Sequence, residues 1–230
     1  MKDIILSYGH SPIGGKDTGA SAYKSTENVL TRQYLKPYIN KGLKELGISY
    51  TNVSEKKKDY RNIKDQWAHG KPYGYKLKIS IHLNSTPTAT GSIVETTSNS
   101  IKSASKLSKA MANALRTNNR GPNTPNLYML RKMGYDYLLE PCFCDNKSDY
   151  NKYIKYHKEL AQAIVAFIAD ELGHKYTEAK VIKKTYPRLK NNLKADKLTP
   201  LDVGKTVKVY RSTKHWSLSN YGWIFKKRLK

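Results

Sequence analysis

The chain has 230 residues, with 42 lysines and arginines against 18 acids, for a formal net charge of +24; that length suits one sizeable core, or a medium domain followed by a small one. No run approaches the roughly 18 apolar residues of a membrane span, and the opening MKDIILSYGHSPIGG lacks a long apolar stretch and has Asp3 where positive charge belongs, so neither a spanning helix nor an export signal is expected. The basic excess suits polyanions in general (nucleic acid, anionic lipid, anionic wall polymer) without choosing among them, and residues 175–230 hold 16 basic and 3 acidic residues, over half of the imbalance.

In chain order, DIILSYG (3–9) reads as a short apolar strand. STENVLTRQYLKPYINKGLKELG is a helix that opens at Ser25 or Thr26 and closes at Gly47, with a kink expected at Pro37. ISYTNV is strand-like. In KLKISIH, Leu77, Ile79 and Ile81 point one way and Lys76, Lys78 and Ser80 the other, the period of two of a strand. SIVETT follows as a strand, and IKSASKLSKAMANALR as a helix with Ala104, Leu107, Met111 and Leu115 at helical spacing. NLYML and YDYLLEPCF read as further strands, and a last helix runs from Ser148 to about Leu172 and stops at Gly173. Strands separated by helices imply an α/β fold, a mostly parallel sheet flanked by helices on both faces. After Gly173 a polar, basic linker (174–184) leads to short strands, TVKVYRS, HWSLS and YGWIF, expected to form a small β-barrel over 185–230.

In such sheets, sites form beyond the carboxyl ends of the strands. His10, His82 and Glu140 each close a strand and so reach one edge, and Glu27 joins them from the first turn of the helix after the first strand. Two imidazoles and a carboxylate are what a catalytic Zn²⁺ needs, with the fourth tetrahedral position left to water. A further carboxylate beside it accepts a proton from that water and passes it to a leaving amine, a complete design for amide hydrolysis. Each residue has a plainer alternative: a loop cap for His10, a helix-dipole carboxylate for Glu27, a lysine's partner for Glu140, and a turn residue for Asn84, which otherwise orients a ligand or touches substrate. Glu95, mid-strand in SIVETT, is the rival carboxylate and ranks below Glu140.

His69 reads as surface, and neither His157 nor His174 has a comparable setting. Cys142 and Cys144 are too close in sequence for an ordinary disulfide and lack the companions of a cysteine metal site, so they read as small buried hydrophobes in a reducing compartment.

YGHSPIGGKDTGA followed by STEN, then ISIHLN, then YLLEPCFCDNKSDY, resembles the zinc-dependent N-acetylmuramoyl-L-alanine amidases of the amidase 3 type, found in phage endolysins and bacterial autolysins, over roughly residues 1–172. The resemblance implies that His10, Glu27 and His82 are zinc ligands and Glu140 the catalytic glutamate. It departs at YRNIKDQWAHGKPYGYKLKIS, where Arg61 is not followed by the family's Ala-Asn pair, and nothing is carried over there.

The C-terminal stretch loosely resembles a bacterial SH3-type wall-binding module. Tyr210, Trp216 and Tyr221 are candidates to line a groove for peptide or glycan, Trp223 is expected in the small core, and Lys226, Lys227 and Arg228 would attract anionic teichoic polymers. The leading expectation is a phage-type lytic amidase that waits in the host cytoplasm and acts on Gram-positive peptidoglycan after release. The alternatives are a zinc wall endopeptidase and a non-enzymatic basic polyanion-binding protein. Nucleic acid is not expected as partner, because such a protein has no need of His and Glu at successive strand ends.

Overall fold

In a computed structural model of the protein, residues 3–55 and 74–230 are described; the readings of Arg61 and His69 fall outside them. The central sheet has six strands in the order β4-β1-β5-β8-β6-β7, and β2 (Ser21–Ala22) and β3 (Ser25–Thr26) form a separate antiparallel pair. β1 (Ile4–Tyr8), β4 (Tyr50–Asn52), β5 (Leu77–Ile81) and β8 (Tyr137–Glu140) run parallel, whereas β6 (Ser92–Thr96) lies antiparallel to β8 and carries β7 (Asn119–Asn123) parallel to itself. The fold is thus α/β with a mostly parallel sheet flanked by helices. Every residue of β1 is buried, as expected of a strand covered on both faces.

One face packs on the helices. Leu6, Tyr8, Ile79, Ile81 and Leu139 meet Leu30, Ile39, Leu43, Leu107, Met111, Leu160 and Ile164 in a single apolar cluster. The first helical run is α1 (Glu27–Leu30), a π-helical stretch Thr31–Leu35, and α2 (Lys36–Leu46), which ends as expected at Gly47 in the left-handed conformation. The distortion expected at Pro37 falls one turn earlier. Pro37 has no N–H for the carbonyl of Gln33 and its ring crowds that carbonyl, so the preceding turn widens. α3 (Ile101–Leu115) and the long α5 (Lys147–Glu171) complete the layer, the latter capped by Asn146, whose side chain accepts the N–H groups of Ser148 and Asp149.

The other face gathers Ile5, Val53, Leu138, Met129, Leu130, Met133 and Tyr135. Here the expectation for NLYML is corrected: Tyr128–Arg131 form a short helix, α4, not a strand. One helical turn lets the neighbouring Met129 and Leu130 both reach the sheet beside Met133, which a strand's alternation would forbid.

Beyond α5, β9 (Thr177–Lys180), β10 (Thr206–Ser212), β11 (Trp216–Ser219) and β12 (Gly222–Phe225) form a small antiparallel sheet in the order β12-β11-β10-β9 around Val181, Leu201, Val207, Val209 and Ile224. β9 lies within the stretch expected to be a linker; its backbone pairs with β10 on one side, and on the other Lys180 and Lys230 exchange N–H···O bonds of 2.7 and 3.0 Å. The sheet is docked on the helices rather than tethered. Trp216, Leu218 and Trp223 pack against Leu46, Trp223 Nε1 donates to Glu45 Oε2 at 3.0 Å, and Lys208 and Tyr210 both reach Asp170.

Candidate metal centre

Adjacency of β1, β5 and β8, with Tyr8 opposite Ile81 and Ile81 opposite Leu139, brings the residues after each strand to one edge. His10 Nε2 lies 3.0 Å from Glu27 Oε2, and His82 Nδ1 lies 3.0 Å from Glu27 Oε1. The two rings meet edge to face with centroids 5.2 Å apart. One donor atom from each of His10, Glu27 and His82 falls within 4.8 Å of the others, the metal-capable group among the described residues.

The chain enforces this packing. Gly9 is a close approach: a Cβ there would sit 2.3 Å from the His82 ring. Gly19, at φ +70°, lies so near that a Cβ would come within 2.4 Å of the His10 ring and 2.7 Å of Glu27 Oε2. His10 itself has φ +66°, a conformation a non-glycine residue keeps only when its surroundings over-determine it. Arg32 does this. Its guanidinium, buried, donates to the carbonyls of Tyr8 (3.0 Å), Gly9 (2.8 Å) and His10 (3.0 Å), and its Nε donates to Glu55. Asn28 holds the next turn through Ser11 O.

Glu27 is nearly inaccessible, and its two oxygens also accept the backbone N–H groups of Leu83 (3.0 Å) and Ala20 (3.2 Å). Burial pushes its pKa up, but the hydrogen bonds and charges of His10 and His82 outweigh that and hold it well below the usual carboxylate range. For His10, burial disfavours the cation, yet hydrogen bonds to Glu27 and Asp17 raise the pKa overall. Among the described residues, no lysine or arginine pairs with Glu27. A buried carboxylate wedged between two imidazoles needs a cation, and two ring nitrogens with one carboxylate oxygen are a donor set for a divalent transition metal. Asp17 Oδ1 sits 2.8 Å from His10 Nδ1; a proton there leaves Nε2 free to act as a ligand.

Glu140 stands at the end of β8, one oxygen accepting a hydrogen bond from Asn84 Nδ2. Burial, then the nearby charges of Glu95 and Glu27, push its pKa up to about 7. Glu95 does not reach the cluster: it lies mid-strand, buried, with Asn123 Nδ2 at 3.4 Å from Oε1. The turn after Glu140 is pinned by Asp149, whose carboxylate accepts from Gly91 N, Phe143 N and Thr117 Oγ1. Cys142 and Cys144 are free and buried, and burial raises both thiols. His157 packs under Tyr34 and Tyr38 with its Nδ1 near Ile154 O.

Asp17, Arg32 and Asp149 went unnoticed in the sequence. For Asp17 the signal is a carboxylate seven residues past His10 in a Gly-rich loop; for Arg32, its nearness to Glu27 on one helical run. Of the C-terminal candidates, Trp216 is only 8% exposed and Tyr210 bonds to Asp170 and Ala166, so both are engaged at the seam with the helices. Trp223, expected inside, is buried. Tyr221, half-buried, borders a groove.

Residues 4–170 match the family model described as N-acetylmuramoyl-L-alanine amidase. Among solved structures, the catalytic domain of the CD27L endolysin targeting Clostridia difficile is 26% identical, with a TM-score of 0.61 over 74% of this chain and 98% of that one. An N-acetylmuramoyl-L-alanine amidase from Clostridium difficile 630 is also 26% identical, with a TM-score of 0.64 over 76% and 98%. The catalytic domain of CwlV from Bacillus (Paenibacillus) polymyxa var. colistinus, at 21% identity and a TM-score of 0.62 over 76% and 100%, shares the fold. No curated protein matches the chain.

Proposed function

The chain belongs to the amidase 3 family of N-acetylmuramoyl-L-alanine amidases, and from that membership we propose that it hydrolyses the amide between the lactyl carbonyl of N-acetylmuramic acid and the L-alanine of the peptidoglycan stem peptide. The observation that carries the reading is Glu27 held between the His10 and His82 rings, 3.0 Å from each, on the edge where Glu140 also stands. His10 through Nε2, His82 through Nδ1 and Glu27 through its carboxylate would hold Zn²⁺. Zinc bound there supplies a Lewis acid for the scissile carbonyl and makes water acidic near neutral pH.

The remaining work falls to side chains of the chain. Asp17 keeps the His10 proton on Nδ1, and Arg32 fixes the loop that aims the ring. Glu140 takes a proton from the attacking water and returns it to the alanine nitrogen as the C–N bond breaks. A carboxyl with a pKa near 7 suits both halves of that transfer. Asn84 holds one of its oxygens and leaves the other to the proton.

The likeness to an endolysin catalytic domain supports a wall-lysing role of phage type, on Gram-positive walls and released from the host cytoplasm. In this reading residues 1–173 are the catalytic unit, and residues 185–230, with the β9 segment, are a wall-binding module of bacterial SH3 type. Lys226, Lys227 and Arg228 would draw it to teichoic polymers.

Digestion of purified walls tests the proposal. Mass spectrometry should find freed peptides that begin with L-alanine and glycan strands left whole. Peptides that begin at another residue would make the chain an endopeptidase instead, and intact walls combined with salt-resistant retention on nucleic acid would make it a binding protein.

A further inference from the structure

Where the C-terminal sheet docks, a groove of about 1110 Å³ opens between it and the helices α3 and α5. None of His10, Glu27, His82 or Glu140 lines it. Its walls come from both parts of the chain: Asn113 on α3, Gln162 on α5, and the 198–205 segment with Tyr221 on the other side. Clefts of this size between packed units are where ligands are commonly held.

Charge narrows the occupant. In a chain of net +24, this groove is balanced: Lys106, Arg116, Lys205 and Lys208 are its Lys and Arg residues, and Glu159, Asp170, Glu171 and Asp202 its acids. Several of these are already engaged, Lys208 with Asp170 and Glu159 with the N–H and hydroxyl of Thr199. A polyanion finds no excess field here, unlike on the outer face of the C-terminal sheet. What the groove offers instead are neutral hydrogen-bonding groups and ring surface. The amides of Asn113 and Gln162 and the hydroxyl of Tyr221 form no hydrogen bond to another described residue, and Tyr176, 43% exposed, adds a second ring; Lys205 and Lys208 each cover one face, over Tyr221 and Tyr176 respectively, which leaves one face of each ring for a ligand. Amides that both donate and accept, beside tyrosine rings, match a ligand rich in hydroxyls and N-acetyl groups.

We propose that this groove seats an uncharged saccharide segment of the wall glycan, a second binding site composed jointly by the helical layer and the C-terminal sheet. The choice of glycan rests on the reading of the chain as a peptidoglycan amidase. A segment held there, its lactyl groups still amides and not the carboxylates that cleavage leaves, would keep the enzyme on uncut stretches of the strand whose peptides it removes, and the docked seam of Trp223, Glu45, Tyr210 and Asp170 would maintain both walls of the site.

The β-1,4-linked N-acetylglucosamine tetramer, titrated calorimetrically into the full chain, is the test. Binding is expected, with an affinity nearly independent of salt because a neutral ligand releases no counterions. Gln162→Ala and Tyr221→Ala should each weaken it about tenfold, the loss of one good contact. Asn113→Ala, at an exposed helix position that leaves the core alone, should also weaken it, so a folding defect at Tyr221 does not decide the matter. No binding, binding untouched by all three substitutions, or preference for a charged stem peptide overturns the proposal. Cleavage of a soluble muramoyl-peptide is measured alongside: if it proceeds while the tetramer fails to bind, the groove reading falls and the amidase reading stands. If the tetramer binds as described while the muramoyl-peptide stays intact, the reverse holds.

Discussion

At the carboxyl edge of the central sheet, polar side chains are buried against one another: Glu27 between two histidines, Arg32 under three carbonyls, Glu140 against Asn84. The C-terminal sheet does the opposite. Its tryptophans are buried at the seam with α2, while Lys180, Lys226 and Lys227 are exposed and Lys208 turns to Asp170 of α5. Buried polar groups are costly unless partnered, so at the sheet edge each residue is held by a specific neighbour and has one plausible use. Aromatic residues bury favourably in a core or in a ligand groove alike. Strand-end histidines therefore point to chemistry, whereas a tryptophan in a small sheet leaves its role open until its neighbours are known.

Substitutions at the two regions should differ accordingly, and the largest effect is expected on catalysis. Glu140→Gln keeps the shape and the Asn84 contact but cannot take a proton; wall hydrolysis should fall about 10²–10⁴-fold with bound zinc unchanged. Equal loss of zinc would place Glu140 among the ligands. Next comes Arg32→Met, which leaves the Tyr8, Gly9 and His10 carbonyls without their donor and Glu55 with Lys36 alone; chemical denaturation should show a loss of about 3 kcal/mol, together with weaker metal retention. A neutral result would mean that the loop holds its own shape.

The third effect is a pH dependence of the metal-free protein. Glu140 is raised from the usual carboxylate range to about 7, so the folded state binds its proton more tightly than the unfolded chain does. That contribution is fully present below pH of about 4.5 and is lost as pH rises through about 7, a difference of up to about 3 kcal/mol. Glu140→Gln should flatten this slope, read as an unfolding midpoint that gains on the wild type between pH of about 5 and 8. At the seam the effect is smallest: Trp223→Phe removes the hydrogen bond to Glu45 and one ring of a buried indole that Arg211 lies over, and should cost about 2 kcal/mol. A much larger loss would show that the seam, like the sheet edge, depends on a single polar contact.

The same contrast governs what was legible in the sequence. His10, His82 and Glu140 were readable because each ends an apolar strand, and Glu27 because it opens a helix beside that edge. Arg32 was not: helical spacing from Asn28 to Leu35 puts it on the buried face, but an arginine there ordinarily reads as a snorkelling surface residue, and its carbonyl partners at residues 8–10 are visible only in the fold. β7, NRGPN, has no strand-forming composition and exists as an edge strand paired with β6, where Pro122 is tolerated. The antiparallel course of β6 was missed because alternation reports faces, not direction. β9 reads as linker in the sequence because three of its four side chains, Thr177, Glu178 and Lys180, are exposed and only its backbone is engaged.

Zinc content and wall cleavage, measured on the same preparations of the wild-type chain and of His82→Ala, test the central claim most directly. One zinc per wild-type chain is expected, with zinc and hydrolysis lost together in the variant. A zinc-free His82→Ala protein that still solubilises walls would contradict it.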